Sequence, residues 1–324
     1  MSNESKYKLV VNHVLQGIND GSLKRGDRLP SLNEFRQMFN LSRDTVFAGI
    51  NELKAKGIID SSPGIGYFIQ NTRLSIRQNI FLLFNEMNAF KQELYNGFLS
   101  GVGSDDNVDI QFHNYNRRTF ETLLHEANGK YTSYVLMPGK FQGLQPLLQS
   151  LTGRVYLLDH YHRELRGKYT AVAQHFENDT YNALASELTR LRRYNNIYMV
   201  QSEAKEPYER YYGLRRFAEE NHFNHKYLNS LKGRKINKGD LYILPGDIDL
   251  VNLLKQAERQ GFTPGSEFGI ISYNDTPLKE ILAGGITTLS TDFRLMGHTM
   301  ASLIGKREIT IIDNPWRLEI RKSI

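Results

Sequence analysis

The first 20 residues repeat apolar side chains at the spacing of one helix face. Val11, Val14, Leu15 and Ile18 fall at positions i, i+3, i+4 and i+7. The pattern predicts a first helix that ends at Gly21. A stripe of this kind marks a helix that packs one face against a core.

Two further helices follow, and each begins at a serine that can cap it. Ser31 stands three residues before Glu34, which is the spacing of a capping box, and Ser42 opens the third helix. Gly57 is expected to close the third helix as its C-cap. The positions predicted to face the core are Leu32, Phe35 and Phe39 in the second helix and Val46, Ile50 and Leu53 in the third.

A hairpin pattern completes this region. Residues 58–59 and 67–69 are apolar and flank a glycine-rich tip at residues 63–66. Three helices and a hairpin in about 65 residues form the α+β plan of a winged helix-turn-helix. In that plan the third helix enters the major groove of DNA while the second braces it across the phosphates.

The start of the third helix carries the candidate DNA contacts. Residues 43–45 and Phe47 face away from the apolar stripe. Arg43 can fork onto guanine or a phosphate, and Thr45 can reach a phosphate or a thymine methyl group. Glycines in the hairpin tip allow close approach to a sugar–phosphate backbone. The predicted DNA-contacting residues are Arg28, Ser31, Asn33, Ser42, Arg43, Asp44, Thr45, Gly64 and Gly66.

At these residues the sequence resembles the GntR family of bacterial regulators. The resemblance rests on residues 21–31 (GSLKRGDRLPS), 41–46 (LSRDTV), 57–59 (GII) and 64–69 (GIGYFI). It implies a DNA-binding head. The family often has Arg where Asn33 stands and a polar or basic residue where Phe47 stands, so its operator sequences do not transfer to this chain.

Beyond residue 78, short apolar runs alternate with longer amphipathic stretches. Repeated strand–helix–strand units predict an α/β fold with parallel sheets covered on both faces, and about 250 residues of this pattern suit two lobes. We expect a head at residues 1–71, a linker at 72–78 and a two-lobed domain at 79–324. The predicted strands are 79–84, 109–113, 133–137, 154–158, 169–174, 196–200, 241–244 and 267–273, with helices such as 178–193, 207–221 and 247–260 between them.

The larger region resembles the sensor domain of LacI-type repressors, which has the periplasmic-binding-protein-like fold. The resemblance runs from residue 79 to 324 and is clearest at residues 268–282, 286–289, 292–297 and 317–321. It implies that a sugar binds between the two lobes and changes the affinity of the head for operator DNA.

Polar and aromatic side chains stand where the predicted strands end, which is where open α/β sheets bind ligands. Planar polar groups can hold sugar hydroxyls, and an aromatic face can cover the C–H surface. Residues 210–213 (RYYG) resemble the Arg-x-x-Gly with which LacI-like proteins hold their effector. Asn274 and Gly246 depart from the Asp and Asn usual in that family. The predicted effector-binding residues are Asn85, Glu86, Asn88, Phe90, Arg210, Asp247, Tyr273, Asn274 and Asp275.

Three of these assignments have structural alternatives. Arg210 could form a surface pair with Glu206, four residues earlier on a helix. Residues 274–275 could cap a helix that starts near Pro277. Phe90 could pack in the core.

Composition excludes several kinds of chemistry. The chain of 324 residues has no cysteine, so disulfides, thiol nucleophiles and cysteine metal sites are ruled out. The net charge is +6, but residues 1–72 contribute only +2, from nine basic and seven acidic residues. Charge therefore permits a DNA partner without locating its site. The chain start lacks a continuous apolar stretch and nothing approaches roughly 20 apolar residues, so we expect a cytoplasmic protein.

Motifs for enzymes, metals and cofactors are missing. Residues 160–162 (HYH) offer two histidines without a third ligand at suitable spacing. No Walker A loop, Gly-x-Ser-x-Gly or His-Glu-x-x-His is present. We therefore expect neither an enzyme nor a bound metal or cofactor.

The sequence predicts a repressor of carbohydrate utilisation that binds operator DNA as a homodimer on an inverted repeat. The expected effector is a monosaccharide, L-fucose or a pentose, because no phosphate clamp is evident. Two alternatives stay open. The same regulator could respond to a sugar phosphate or a purine, or a sugar sensor or enzyme could use the winged helix as a docking module without binding DNA.

Overall fold

The computed structural model divides the chain into two compact units. Unit 1 comprises residues 1–172 and 297–311, and unit 2 comprises residues 173–296 and 312–324, so the chain passes from one unit to the other three times. The residues that the structure describes are 6–19, 21–62, 65–72, 78–203, 205–306 and 308–324.

Unit 1 begins with the three helices and the hairpin that the sequence predicts. Ser31 caps the second helix in a capping box, where its backbone N–H donates to Glu34 Oε2 at 2.6 Å. The C-cap of the third helix is Lys56 and not Gly57, which follows it with φ of 63° and donates its N–H to the Lys54 carbonyl. The elements are α1 (Lys8–Asn19), α2 (Leu32–Phe39), α3 (Arg43–Ala55), β1 (Ile59–Ser62) and β2 (Gly66–Ile69).

The hairpin is extended by a segment that the apolar pattern does not reveal. β1 and β2 pair antiparallel, with Ile59 opposite Ile69. Residues 27–29 run along the other side of β2, where the Leu29 N–H donates to the Tyr67 carbonyl at 2.9 Å. The predicted stripe of α3 is fully buried beneath this hairpin and the other two helices.

A six-stranded sheet forms the rest of unit 1, and its outermost two strands cross into unit 2. Its order is β13-β7-β6-β5-β3-β4, and β3 pairs parallel with both β4 and β5. The strands are β3 (Asn79–Phe84), β4 (Asn107–Phe112), β5 (Ser133–Leu136), β6 (Arg154–Asp159), β7 (Thr170–Ala173) and β13 (Ile311–Asp313). The helices along this part of the chain are α4 (Ala89–Gly101), α5 (Arg117–Ala127), α6 (Gln145–Ser150) and α12 (Phe293–Leu303).

Unit 2 holds a second six-stranded sheet of order β14-β12-β11-β10-β8-β9. Its pairs are parallel except for β14, which runs antiparallel to β12. The strands are β8 (Asn196–Val200), β9 (Asn224–Leu228), β10 (Asp240–Leu244), β11 (Gly269–Tyr273), β12 (Thr287–Thr291) and β14 (Trp316–Glu319). The helices are α7 (Phe176–Ser186), α8 (Leu188–Leu191), α9 (Glu209–Asn221), α10 (Asp247–Gln260) and α11 (Pro277–Ile281).

The predicted fold class is confirmed, since parallel sheets alternate with helices after an α+β head. The predicted helix 178–193 is wrong in one respect, because it breaks at Glu187 into α7 and α8. In both sheets the carboxyl ends of neighbouring parallel strands meet at one edge, which is where the predicted effector-binding residues lie.

Candidate DNA-binding and effector-binding sites

The first turn of α3 presents an exposed polar face. Ser42 caps the helix, because the Thr45 N–H donates to Ser42 Oγ at 3.2 Å, and the two hydroxyls lie 2.7 Å apart. Arg43 and Asp44 are exposed, and Phe47 is 47% exposed. Because the opposite side of α3 is buried, these side chains share the outer surface of the head.

A second group of predicted DNA contacts lies at the hairpin. Arg28 is exposed and pairs through its backbone with Phe68 of β2. A Cβ on Gly66 would lie 3.3 Å from Arg28 Nε, so the glycine leaves room for the guanidinium. Gly64 lies outside the described residues. Asn33, on the exposed side of α2, accepts a hydrogen bond from Arg36.

The predicted effector residues of unit 1 form a hydrogen-bonded chain after β3. Asn85 is buried and its Oδ1 accepts from the Glu86 N–H at 2.9 Å. Glu86 accepts in turn from Asn88 Nδ2 at 3.2 Å. Asn88 caps α4 by accepting from the Lys91 N–H at 3.0 Å, and Phe90 is half-buried in the same first turn. The four residues are therefore brought together at the carboxyl edge of this sheet.

Two charged residues that were not predicted from the sequence lie beside these hydrogen-bonded residues. Lys91 Nζ donates to Asp159 Oδ2, and both side chains are more than nine-tenths buried. Asp159 ends β6 with φ of 67°, a conformation that few non-glycine residues adopt. A lysine in an amphipathic helix is normally read as solvent-facing, so spacing alone offers no signal for this pair.

A buried histidine follows β4 in the same sheet. His113 Nε2 donates to the Met137 carbonyl at 3.0 Å, and its Nδ1 has no hydrogen-bond partner among the described residues. Burial lowers the pKa of His113, so the imidazole is neutral and Nδ1 is an acceptor.

In unit 2, Arg210 of α9 lies between two aromatic rings. Its guanidinium carbon lies 4.4 Å from the centroid of Tyr273 and 4.8 Å from that of Phe176. Arg210 Nη1 donates to Glu206, so the pair proposed as an alternative exists. It is not on the surface, however, because the Arg210 side chain is only 4% exposed.

Tyr273 is held by its hydroxyl as well as its ring. It shares a hydrogen bond with Thr180 of α7, whose Oγ1 donates to the Phe176 carbonyl at 2.7 Å. Burial raises the pKa of Tyr273 to about 12, so its phenol stays neutral. This places a neutral aromatic face against Arg210.

Asp247 and Asn274 are joined through a buried lysine. Lys279 Nζ donates to Asp247 Oδ1 at 2.8 Å and to the carbonyls of Tyr273 and Asn274 at 2.7 and 2.9 Å. Burial lowers the pKa of Lys279, although Asp247 opposes that shift. Asn274 has φ of 62°. Lys279 therefore stabilises the strained turn that follows β11.

Asp275 is committed to a pair with Arg321. The guanidinium donates to both carboxylate oxygens at 2.7 and 2.9 Å, and Thr288 donates to one of them. Burial opposes ionisation, but these hydrogen bonds hold the pKa of Asp275 below its usual value. The alternative that residues 274–275 cap α11 is wrong, because the cap is Thr276.

Gln201 and Asp249 also lie at the edge of unit 2, and neither is among the residues predicted from the sequence. Gln201 directly follows β8, is 5% exposed, and donates from Nε2 to the Glu206 carbonyl at 3.0 Å. Its Oε1 and the Nε of Arg210 are buried without a partner in the described part of the chain. Asp249 accepts from the N–H and Oγ of Ser202 at 3.0 Å. The position of Gln201 after an apolar strand is the one signal that could have indicated it.

The cations of these clusters are paired with carboxylates. Four cations that lie among the predicted effector residues each form an ion pair with a carboxylate in the described part of the chain. The pairs are Lys91 with Asp159, Arg210 with Glu206, Lys279 with Asp247, and Arg321 with Asp275.

Within the described ranges, no three His, Asp or Glu side chains lie close enough together to hold a metal ion. Among those residues, no helix is long and apolar enough to cross a membrane.

Comparison with known proteins identifies the head. Residues 6–69 match the family of bacterial regulatory proteins named gntR. The uncharacterized HTH-type transcriptional regulator YcxD of Bacillus subtilis is 31% identical over 64 residues, which are 20% of this chain and 14% of that protein. The N-terminal domain is therefore a GntR-type helix-turn-helix domain, and the match spans a small part of that relative's length.

The remaining domain has the fold of LacI-family regulators. A transcription regulator like protein from Staphylococcus haemolyticus superposes with a TM-score of 0.64 at 11% identity, over 76% of this chain and 99% of that one. A LacI transcriptional regulator from Lactobacillus brevis gives 0.59 at 16%, over 75% and 100%. A LacI family transcriptional regulator from Enterococcus faecium, solved with bound ribose, gives 0.61 at 15%, over 76% and 98%. These three similar proteins are described as transcription regulators.

Proposed function

From a GntR-type head joined to a domain with the fold of LacI-family regulators, we propose that this protein is a transcriptional repressor of carbohydrate utilisation controlled by a neutral sugar. Each unit presents candidate sugar-binding residues at the carboxyl edge of its own sheet. One observation supports this choice of effector: Lys91, Arg210, Lys279 and Arg321, the cations seen among these residues in the described part of the chain, are each paired with a carboxylate.

The charge balance disfavours a sugar phosphate. A phosphate group needs cations or backbone N–H groups that are not already committed. Arg210 is stacked between rings and paired with Glu206, so it can offer its buried Nε–H to a hydroxyl but no net charge to an anion. The ribose bound to the Enterococcus faecium regulator supports a pentose among the candidates.

The polar groups left at the edge of unit 2 suit hydroxyl recognition. Gln201 Oε1 is a buried acceptor and Arg210 Nε is a buried donor, and a sugar hydroxyl can serve both because it donates and accepts. A buried donor or acceptor that is left without a hydrogen bond costs free energy, which favours a polar ligand over an apolar one.

DNA binding is assigned to the outer face of α3 and to the hairpin. The residues proposed to contact base edges and phosphates are Arg43, Asp44 and Thr45. Arg28 and Gly66 are proposed to lie against the sugar–phosphate backbone of the DNA. Ser31, Asn33 and Ser42 act mainly by shaping the starts of α2 and α3, where their side chains are hydrogen-bonded.

A homodimer is supported by an apolar patch on unit 2. Ile248 and Val251 of α10 and Leu278 and Ile281 of α11 are 60%, 43%, 64% and 75% exposed. The Asp247–Lys279 ion pair holds the two helices together at this patch. Contiguous exposed apolar side chains mark interaction surfaces.

The proposed dimer surface is tested by substitution. Ile281→Asp is expected to shift the protein from dimer to monomer in analytical ultracentrifugation, whereas Leu9→Asp on α1 is expected to leave the dimer intact. A dimer that is unaffected by Ile281→Asp contradicts this surface.

The effector is tested by a thermal-shift panel of pentoses, hexoses including L-fucose, their phosphates and purines. A ligand at 100 times its Kd stabilises by about 2.7 kcal/mol, which corresponds to a rise in Tm of about 5–10 °C for the domain it binds. We expect one neutral sugar to give this shift. Arg210→Ala should abolish it, and Arg215→Ala, an exposed arginine on the same helix, should leave it intact.

Two results would change the proposal. Stabilisation by a phosphorylated sugar or a purine alone would refute the neutral-sugar assignment and leave the regulator intact. If no DNA is selected from a random library, the docking module is favoured instead. In that case Arg43→Ala would not change the binding of the protein partner.

A further inference from the structure

Phe47 is a large apolar side chain on the helix that carries the proposed DNA contacts. Its side chain is 47% exposed, although α3 buries four other apolar positions and a glycine completely or nearly so. The buried set comprises Val46, Gly49, Ile50, Leu53 and Ala55. Phe47 is thus turned away from the core.

The ring shares its surface with the polar contacts. Phe47 lies four residues after Arg43 and three after Asp44, and residues at these spacings are neighbours on one helix face. Both of those side chains are exposed. A helix that enters the major groove with Arg43 therefore brings the ring of Phe47 to the base edges as well.

We propose that Phe47 reads a thymine through contact of its ring with the 5-methyl group of the base. The methyl group of thymine is the apolar feature among the base edges of the major groove. A phenylalanine ring has no hydrogen-bonding group with which to distinguish the other edges. This inference rests on the proposed function, because it requires that the head bind DNA.

The helix geometry also places the thymine. Four residues advance a helix by about 6 Å, and stacked base pairs are about 3.4 Å apart. Because the projection of this advance on the DNA axis cannot exceed about 6 Å, we expect the thymine within about two base pairs of the base or phosphate that Arg43 contacts. In a two-fold complex the same spacing recurs in each half-site.

The test begins with DNA selected from a random library by the full chain. Each thymine of the selected site is then replaced by uracil, which removes only the methyl group, and affinity is measured by fluorescence anisotropy at fixed salt. We expect one position per half-site to be sensitive. Loss of one buried methyl contact corresponds to about fourfold in Kd, or about 15-fold when both half-sites are changed.

Variants connect the sensitive position to Phe47. Phe47→Ala should still bind the site but respond to uracil by less than about 1.5-fold. Leu9→Ala, which truncates an equally exposed apolar residue of α1, should keep the full uracil effect. An unchanged Tm for Phe47→Ala shows that the head remains folded, as expected for an exposed side chain.

Each outcome bears on the inference. A scan without a sensitive thymine, or one whose sensitive thymine is unaffected by Phe47→Ala, overturns the role of Phe47 and leaves DNA binding in place. Failure to enrich any DNA overturns the proposed function and this inference with it.

Discussion

The buried pair of Arg210 and Glu206 allows the charge balance of the site to be tested by protein stability. Glu206→Gln removes the carboxylate and keeps the size of the side chain. The guanidinium then stays buried between Phe176 and Tyr273 without the carboxylate that pairs with it. The side chains of the pair are 4% and 19% exposed.

Loss of one partner from a buried ion pair costs about 3–5 kcal/mol, because the remaining charge is uncompensated. Glu206 is partly exposed, so water replaces some of its effect, and the stacked rings retain up to about 2 kcal/mol of attraction for the cation. We therefore expect Glu206→Gln to lower the free energy of unfolding by about 2–3 kcal/mol. In the double variant Glu206→Gln/Arg210→Met neither position carries a charge. It should be at least about 1 kcal/mol more stable than Glu206→Gln alone.

Urea unfolding followed by tryptophan fluorescence measures the free energy of unfolding of unit 2, which contains Arg210. Trp316 is the single tryptophan of the chain and packs against the core of unit 2. Glu219→Gln on the same helix is the matched control, since Glu219 is 62% exposed and lies 3.9 Å from Arg215. That change should cost less than about 0.5 kcal/mol. If the double variant is no more stable than Glu206→Gln, the reasoning about an uncompensated charge is refuted.

Two further predictions concern the packing of α7. Burial raises the pKa of Asp179 to about 6, so the folded chain binds this proton more tightly than the unfolded chain does. Stability should then fall as pH rises between about 4 and 6, and Asp179→Asn should flatten that slope in urea midpoints; an unchanged slope contradicts it. A Cβ on Gly213 would lie 2.1 Å from the Glu177 carbonyl oxygen, so Gly213→Ala should lower the urea midpoint by an amount equivalent to about 1–3 kcal/mol. A midpoint equal to that of the unsubstituted protein would contradict the close approach of α9 to α7.

Short-range patterns were sufficient to predict the head. The capping box of Ser31 and Glu34 joins residues three apart, and its formation requires only the first turn of α2. The burial of Val46 and Ile50 follows from helix periodicity in the same local way. The segment at residues 27–29 was not found, because its pairing with β2 joins residues about 40 positions apart.

The sheets were predicted where their strands are apolar and missed where they are not. β9 is an edge strand with alternating exposed and half-buried residues, so it lacks the continuous apolar run of a central strand. β12 is fully buried, but four of its five residues are hydroxyl-bearing. Thr287 and Thr291 satisfy their hydroxyls by donating to the carbonyls of Arg321 and Pro315. A pattern that equates burial with apolar residues cannot detect such a strand.

The sequence by itself determined the helices of the head, the fold class and the apolar strands at whose ends the candidate effector residues stand. Only the tertiary structure decided which charges neutralise one another. Lys91 and Asp159 are 68 positions apart, and Asp275 and Arg321 are 46 apart. The reason is that a capping or periodic interaction depends on neighbours along the chain, whereas an ion pair depends on distance and burial in space.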